Sequence, residues 1–341
     1  MKSFLKKIIK EKKDEELTKL NAINLVNDVF KNLHNRESDV LSRRFALGFE
    51  KQHTLEEIGK LHSLTRERVR QIEKSSLDKI KKIENLDERL GLIRELVAKI
   101  LDEHGGAMER EFLLDILSVL SLQINDNDLN DEKVDYKNYF DFILSKLLDD
   151  YIEKVDNSDK FSAFYKIKDK AVNYLEDLAE ELRSKILDAK KTMKIEELLD
   201  MVKGLDSFNT HKDKLLDKIE NIDLTKVFKD KIFPEKGEII NKNKTLYSII
   251  QSIKDINRNK LGHWGHDSWP EVKPKRITDK IYLILKEENK PMHFEEIAKK
   301  INDIGFDHKK ANKGSVHNEL ILDDRYILVD RGVYALKEWK K

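Results

Sequence analysis

Apolar residues recur every three or four positions through most of the 341-residue chain, the spacing at which one face of an α-helix turns inward. Leu20, Ile23, Val26, Phe30 and Leu33 form the first such stripe and predict a support helix. Leu55, Ile58 and Leu61 begin another. After His62, Ser63 and Leu64 the pattern restarts at Thr65 with Val69, Ile72, Leu77 and Ile80. Residues 54–57 read TLEE, a capping box in which the Thr54 hydroxyl takes the third amide of the helix and Glu57 returns to the amide of Thr54. Two helices joined by a tight turn follow, so residues 54–79 read as a helix-turn-helix, with residues 35–53 supporting it.

Past residue 90 the pattern repeats. Three segments share an Ile-Leu helix end, a short polar turn and Met-x-x-Glu opening another helix: Ile100-Leu101 with Met108 and Glu111, Ile186-Leu187 with Met193 and Glu196, and Ile284-Leu285 with Met292 and Glu295. The first and third copies also end alike, LLDDYIEKV at 147–155 before Phe164-Tyr165 and ILDDRYILV at 321–329 before Val333-Tyr334. A turn, a β-rich run, a second turn and a short strand make a hairpin, and three helices followed by a hairpin make a winged helix. The second copy diverges most. Its third helix is predicted to carry Leu246, Ile249, Ile250, Ile253 and Ile256 and to end near Asn259, with residues 261–272 as its wing. The expected fold class is mainly α, an N-terminal helix-turn-helix followed by tandem winged-helix-like units with short β-hairpin wings. The segments expected are a charged helix or tail (1–19), the helix-turn-helix (20–88) and winged-helix-like units over 90–168, 170–274 and 275–341.

Composition fits that class. Only 4 Pro and 12 Gly occur, which disfavours β-rich architecture and long structureless linkers. The net charge is +1, so an anionic partner has to be met by a local surface. One such surface is residues 65–82, with seven Lys/Arg against three Asp/Glu, whereas residues 121–160 carry eleven acids against five bases. That acidic stretch should be repelled by DNA and suits a protein-facing or spacing role. Cysteine is absent, which excludes disulfides and cysteine chemistry and is compatible with a reducing cytoplasm. No run approaches 18 apolar residues. Residues 1–17 are too charged for a signal peptide and read either as a basic amphipathic membrane-surface helix or as a solvated one. We expect a cytoplasmic chain without a membrane partner.

The second helix of the helix-turn-helix places Arg66, Glu67, Arg68, Arg70 and Gln71 in its first two turns. Arginine bonds guanine bidentately, glutamine bonds adenine and glutamate accepts from the cytosine amine, and the first residues of such a helix are those that reach base edges. The alternative is a charged, solvated helix. Enzyme signatures are missing from the sequence: there is no Gly-rich phosphate loop, HExxH or serine elbow. Acid pairs such as Asp149-Asp150 and Asp323-Asp324 read as turn residues. His263 and His266 have Asp267 as their one close acid, so no metal, cofactor or small-molecule substrate is expected.

Through RESDVLSRRF at 36–45, HTLEEIG at 53–59 and TRERVRQIE at 65–73, the stretch 35–82 closely resembles region 4 of the sigma-70 family of bacterial RNA polymerase initiation factors. The resemblance implies promoter base contacts from Arg66, Glu67 and Gln71, with Arg44, Thr54, Leu55, Thr65, Arg68, Arg70 and Lys74 as phosphate or supporting contacts. Where the family often carries basic residues that meet activators, Ser75, Ser76 and Asp78 intervene. Fewer than 35 residues precede the stretch, so a complete initiation factor, with its upstream melting domain, is not expected. Residues 276–339 resemble a HARE helix-turn-helix domain, as at the start of the delta subunit of bacterial RNA polymerase, on ITDKIYLILKEENKPMHFEEIAKKI and SVHNELILDDRYILVDRGVYAL. The predicted third helix of that copy, 308–318, carries Lys309, Lys310 and Lys313 and no acid. It is either a second DNA surface or a polar loop ahead of a packing helix. The function these features imply is a sequence-specific, DNA-binding transcription regulator or polymerase-associated accessory factor whose partner is double-stranded DNA. The alternative is an interaction module that docks on the β flap of the RNA polymerase core, or competes with a sigma factor, without reading sequence.

Overall fold

Four helices open the described part of the chain, which in the computed structural model comprises residues 21–124, 136–215, 223–229, 233, 235 and 237–340. The expected tail at 1–19 and the start of the first apolar stripe at Leu20 lie outside it. The helices are Ala22–Phe30, Asn35–Arg44, Leu55–His62 and Arg66–Lys81. Each of the last two begins where the sequence places a cap. Thr54 Oγ1 accepts from Glu57 N at 3.2 Å while Glu57 Oε2 accepts from Thr54 N at 2.7 Å, and Thr65 Oγ1 accepts from Arg68 N at 3.2 Å. Their inner faces meet at Val40, Ile58 and Val69, all fully buried, with Leu55, Leu64 and Ile72 around them. Gly59 makes the turn possible, because a Cβ there would lie 2.7 Å from the Leu64 carbonyl oxygen.

Two expectations for this region are corrected. Leu61 is 59% exposed. At 100° per residue, Leu55, Ile58, Gly59 and His62 share one arc of the helix and Leu61 falls about 110° from its centre. The support helix Ala22–Phe30 packs chiefly not on the helix-turn-helix core but on Tyr136–Phe142, where Phe30 meets Phe142 edge to face at 5.8 Å.

Contacts divide the chain into two compact units, 1–175 with 211–252, and 176–210 with 253–341. In the first unit, the helix Leu86–Glu103, the strand Ala107–Glu109, the helix Arg110–Ile124, the helix Tyr136–Phe142 running on as a π-turn through Leu147, and the strands Ile152–Val155 and Phe164–Ile167 make a winged helix. Its sheet is antiparallel, with Phe164–Ile167 between the other two strands. In the second unit, Ile277–Glu288, Met292–His293, Phe294–Ile304, Lys313–Leu322, Tyr326–Asp330 and Val333–Leu336 repeat that order and that sheet. The repeated methionines mark equivalent places. Met108 pairs with Tyr165, Met292 with Tyr334, and Met193 forms an isolated bridge to Trp264. In each copy a buried methionine, two residues ahead of a helix, sits antiparallel to a buried aromatic of the second wing strand.

The middle copy departs from expectation. Its third helix, Lys244–Ser252, stops at Ser252 rather than near Asn259, and Ile256 lies in the strand Ile256–Arg258, which pairs with Trp264–His266. Asn259 instead organises the hairpin turn: its Oδ1 accepts from the amides of Leu261 at 2.9 Å and His263 at 3.0 Å. The helix Lys244–Ser252 belongs to the first unit, where it packs on Ala107–Glu109 and inserts Lys244 against Glu103 in a buried ion pair of 2.6 Å. In the third copy the third helix begins at Lys313, capped by Asn312. Lys309 and Lys310 therefore lie on the loop before it, not within the helix predicted over 308–318.

Candidate nucleic-acid interface

The helix Arg66–Lys81 turns Val69, Ser76 and Ile80 inward. Its outer strip carries Arg66, Glu67, Arg68, Arg70, Gln71 and Lys74, all exposed. Among the described residues, three of the four cations on that strip, Arg66, Arg68 and Lys74, hold no salt bridge, whereas Arg70 pairs with Glu67. Its Nε donates to Oε2 at 2.8 Å and its Nη2 to Oε1 at 2.6 Å. That guanidinium holds the Glu67 carboxyl below its ordinary range, so the glutamate is an acceptor at neutral pH. Arg68 Nη1 donates to Gln71 Oε1 at 3.1 Å.

The supporting residues sort differently from the exposed strip. Arg44 is half-buried behind the helix, 3.5 Å from Glu73, and its Nη1 donates to the His53 carbonyl at 3.4 Å. Thr54 and Thr65 are engaged as caps and Leu55 packs in the core. Around the flanks the cations act as struts. Lys79 pairs with Glu37 at 2.5 Å, Arg43 with Asp39 at 2.8 Å and Lys81 with Asp149 at 2.6 Å. Burial raises the Asp39 carboxyl, but the hydrogen bonds from Arg43 and His62 outweigh it and leave Asp39 below its ordinary value. Further along the helix, Ser75 and Ser76 hydroxyls donate to the Ile72 carbonyl at 3.1 and 2.7 Å, and Asp78 is exposed.

A winged helix can offer its third helix to a groove only if that helix is free. In the first copy it is not: from Tyr139 to Leu144 every residue is buried. Phe142 lies between Phe30 and Phe45, the latter at 5.0 Å, and Asn138 Nδ2 donates to the Ala46 carbonyl at 3.2 Å. The third helix of the middle copy is buried as well. The third copy alone, among the described residues, exposes this element: Lys313, Gly314, Ser315, Asn318, Ile321 and Leu322 face solvent. Lys309 and Lys310 are exposed beside it, whereas Lys313 pairs with Glu295 at 3.0 Å and the exposed Glu296 adjoins it in sequence. Local periodicity misses the sealing of the first two third helices, since an all-apolar helix reads as buried without revealing what covers it.

His263 pairs with Glu287 at 3.5 Å and His266 Nδ1 lies 2.7 Å from Ser268 Oγ. Among the described residues no group of three or more His, Asp or Glu side chains could hold a metal, and no helix is long and apolar enough to cross a membrane.

The capped helix pair, its buried seam and its exposed strip of arginine, glutamate and glutamine define a sigma-70 region 4-like helix-turn-helix, and residues 29–82 match the family described as Sigma-70, region 4. Among curated proteins, the RNA polymerase sigma factor SigA of Lactococcus lactis subsp. cremoris is 43% identical over 56 residues, which are 16% of this chain and 15% of that protein. The chain thus matches about one seventh of the relative's length. No solved structure matches the chain significantly.

Proposed function

We propose that the protein is a DNA-binding transcription factor that reads promoter-like duplex DNA with the helix Arg66–Lys81, in the cytoplasm and without enzymatic activity. The observation that carries this reading is the outer strip of that helix, where Arg66, Glu67 and Gln71 stand exposed in the first two turns with Arg68 and Lys74, among the described residues, clear of carboxylates and available to phosphate. Arg44 and Arg70 are supports in this reading rather than primary phosphate contacts, because each is already engaged by an acid. Glu67→Ala or Arg66→Ala should relax base preference at one position each, at about 1 to 3 kcal/mol per lost contact. Selection from random duplexes measures this, and unchanged preference in both variants would sink the base-reading assignment.

A second reading, association with RNA polymerase, is supported by the third copy. It resembles a HARE-type domain and exposes Ile321, Leu322, Leu328 and Val329, at 61, 78, 63 and 49%, apolar side chains that suit a protein surface better than a phosphate backbone. In this reading Lys309, Lys310 and Lys313 flank a protein contact rather than form a second DNA surface. Co-purification with polymerase core that is lost in Leu322→Asp but kept in Lys309→Ala supports it. Retention in both variants counts against it.

A further inference from the structure

The pairing of Arg68 with Gln71 limits what the glutamine can offer a base. A free glutamine meets adenine with both ends of its amide, Oε1 accepting from N6 and Nε2 donating to N7. Here Oε1 is turned towards the Arg68 guanidinium, one helical turn away, at 3.1 Å. The amide is therefore oriented by Arg68 through its oxygen. Its oxygen keeps a second lone pair, but a cation stands beside it and opposes the amino group of adenine. Its nitrogen carries two hydrogens that remain for a base.

Resting on the proposal that this helix enters the major groove, we infer that Arg68 is a positioning residue that makes Gln71 a hydrogen-bond donor. The base read by Gln71 is then one that presents acceptors, guanine through N7 and O6 or thymine through O4, in preference to adenine. The couple Glu67–Arg70 works in the same way with the opposite sign. Arg70 occupies one site on each carboxylate oxygen, cancels the charge that phosphates would repel, and leaves each oxygen a lone pair for the cytosine amine.

The test is selection from random duplexes with the full chain and four forms: unaltered, Gln71→Ala, Arg68→Ala and Arg68→Lys. Gln71→Ala identifies the position concerned as the one whose preference collapses. Guanine or thymine at that position in the unaltered chain, with adenine gaining roughly tenfold in Arg68→Ala and no change at the Arg66 and Glu67 positions, supports the inference. Arg68→Lys, which keeps charge and a donor, should retain the original preference. Adenine preferred by the unaltered chain overturns the inference. So does uniform weakening of all duplexes by Arg68→Ala with the preference at the Gln71 position unchanged, the signature of a phosphate contact alone, and either result leaves the DNA-reading proposal standing. Absence of any sequence preference in the unaltered chain overturns both.

Discussion

Phe142 is the residue at which the helix-turn-helix and the first winged copy become one body, and its removal has a cost that the geometry sets. The ring is 1% exposed, edge-on to Phe30 at 5.8 Å and tilted against Phe45 at 5.0 Å, and Lys146 lies 5.7 Å over the Phe45 ring. Truncating a buried phenylalanine to alanine costs about 3 to 5 kcal/mol, transfer and cavity together. That is a large part of the roughly 5 to 15 kcal/mol that holds a domain folded. Urea unfolding of Phe142→Ala followed by circular dichroism should show a loss in that range. Such a loss alone would also follow if Phe142 served only its own winged helix. The deciding measurement is therefore a pair of double-mutant cycles, Phe30→Ala with Phe142→Ala and Phe45→Ala with Phe142→Ala. Aromatic pairs at these separations couple by about 0.5 to 1.5 kcal/mol. Additive losses in both cycles would refute the claim that Phe142 clamps the two parts together.

Other consequences follow from individual residues. Gly59→Ala should destabilise the protein by roughly 1 to 3 kcal/mol, although alanine is the better helix former by about 1 kcal/mol, because the new Cβ would press on the Leu64 carbonyl at 2.7 Å; a rise in thermal midpoint would contradict the close approach. His104 is fully buried, its Nδ1 is 2.7 Å from the Ile100 carbonyl, and burial pushes its pKa down to about 3. An unfolded histidine takes up its proton near pH 6.5, so the folded state binds fewer protons between these values. The stability this residue contributes is complete above about pH 6.5 and is lost as pH falls towards 3. His104→Leu should flatten that part of the stability profile, and an unaltered slope would show that other groups set it.

The chain announces its local structure well and its long-range packing poorly. Thr54, Glu57 and Thr65 act within four residues of themselves, so the starts of two helices could be placed from the sequence. The methionine repeat was legible for a related reason: one short strand needs one partner, and the wing supplies it at the same point of each copy. Leu61 was misplaced because a three-residue step drifts off the buried arc within two turns. Asn259 was misplaced because the apolar run through Ile253 and Ile256 has no strong stop, and the strand pairing with Trp264–His266 decides where the helix gives way. Nothing local reports that Phe30, Phe45 and Ala46 cover the first copy's third helix, since those residues are remote in sequence. In the helix Arg66–Lys81 the residue types were evident, but the couples Arg68–Gln71 and Glu67–Arg70 depend on which rotamers the exposed strip adopts.

A chain with net charge +1 can still bind DNA if its acids are spent where DNA does not go, and the ion pairs show such sorting. Over residues 65–82 the sequence counts seven basic residues. Of these, Arg70, Lys79 and Lys81 are tied to Glu67, Glu37 and Asp149, and Lys82 ends the helix about 24 Å from Arg66. Among the described residues Arg66, Arg68 and Lys74 pair with no acid, and they stand near the end proposed to face the groove. Each neutralised phosphate releases counterions and adds about 0.9 to the fall of log affinity with log salt. The two proposed phosphate contacts, Arg68 and Lys74, give a slope of about −1.8, against about −6 if all seven met phosphate. A salt titration with a selected duplex separates these values. A slope near −6 would mean that the struts open on binding, and a slope near zero would remove the phosphate contacts from the proposed interface.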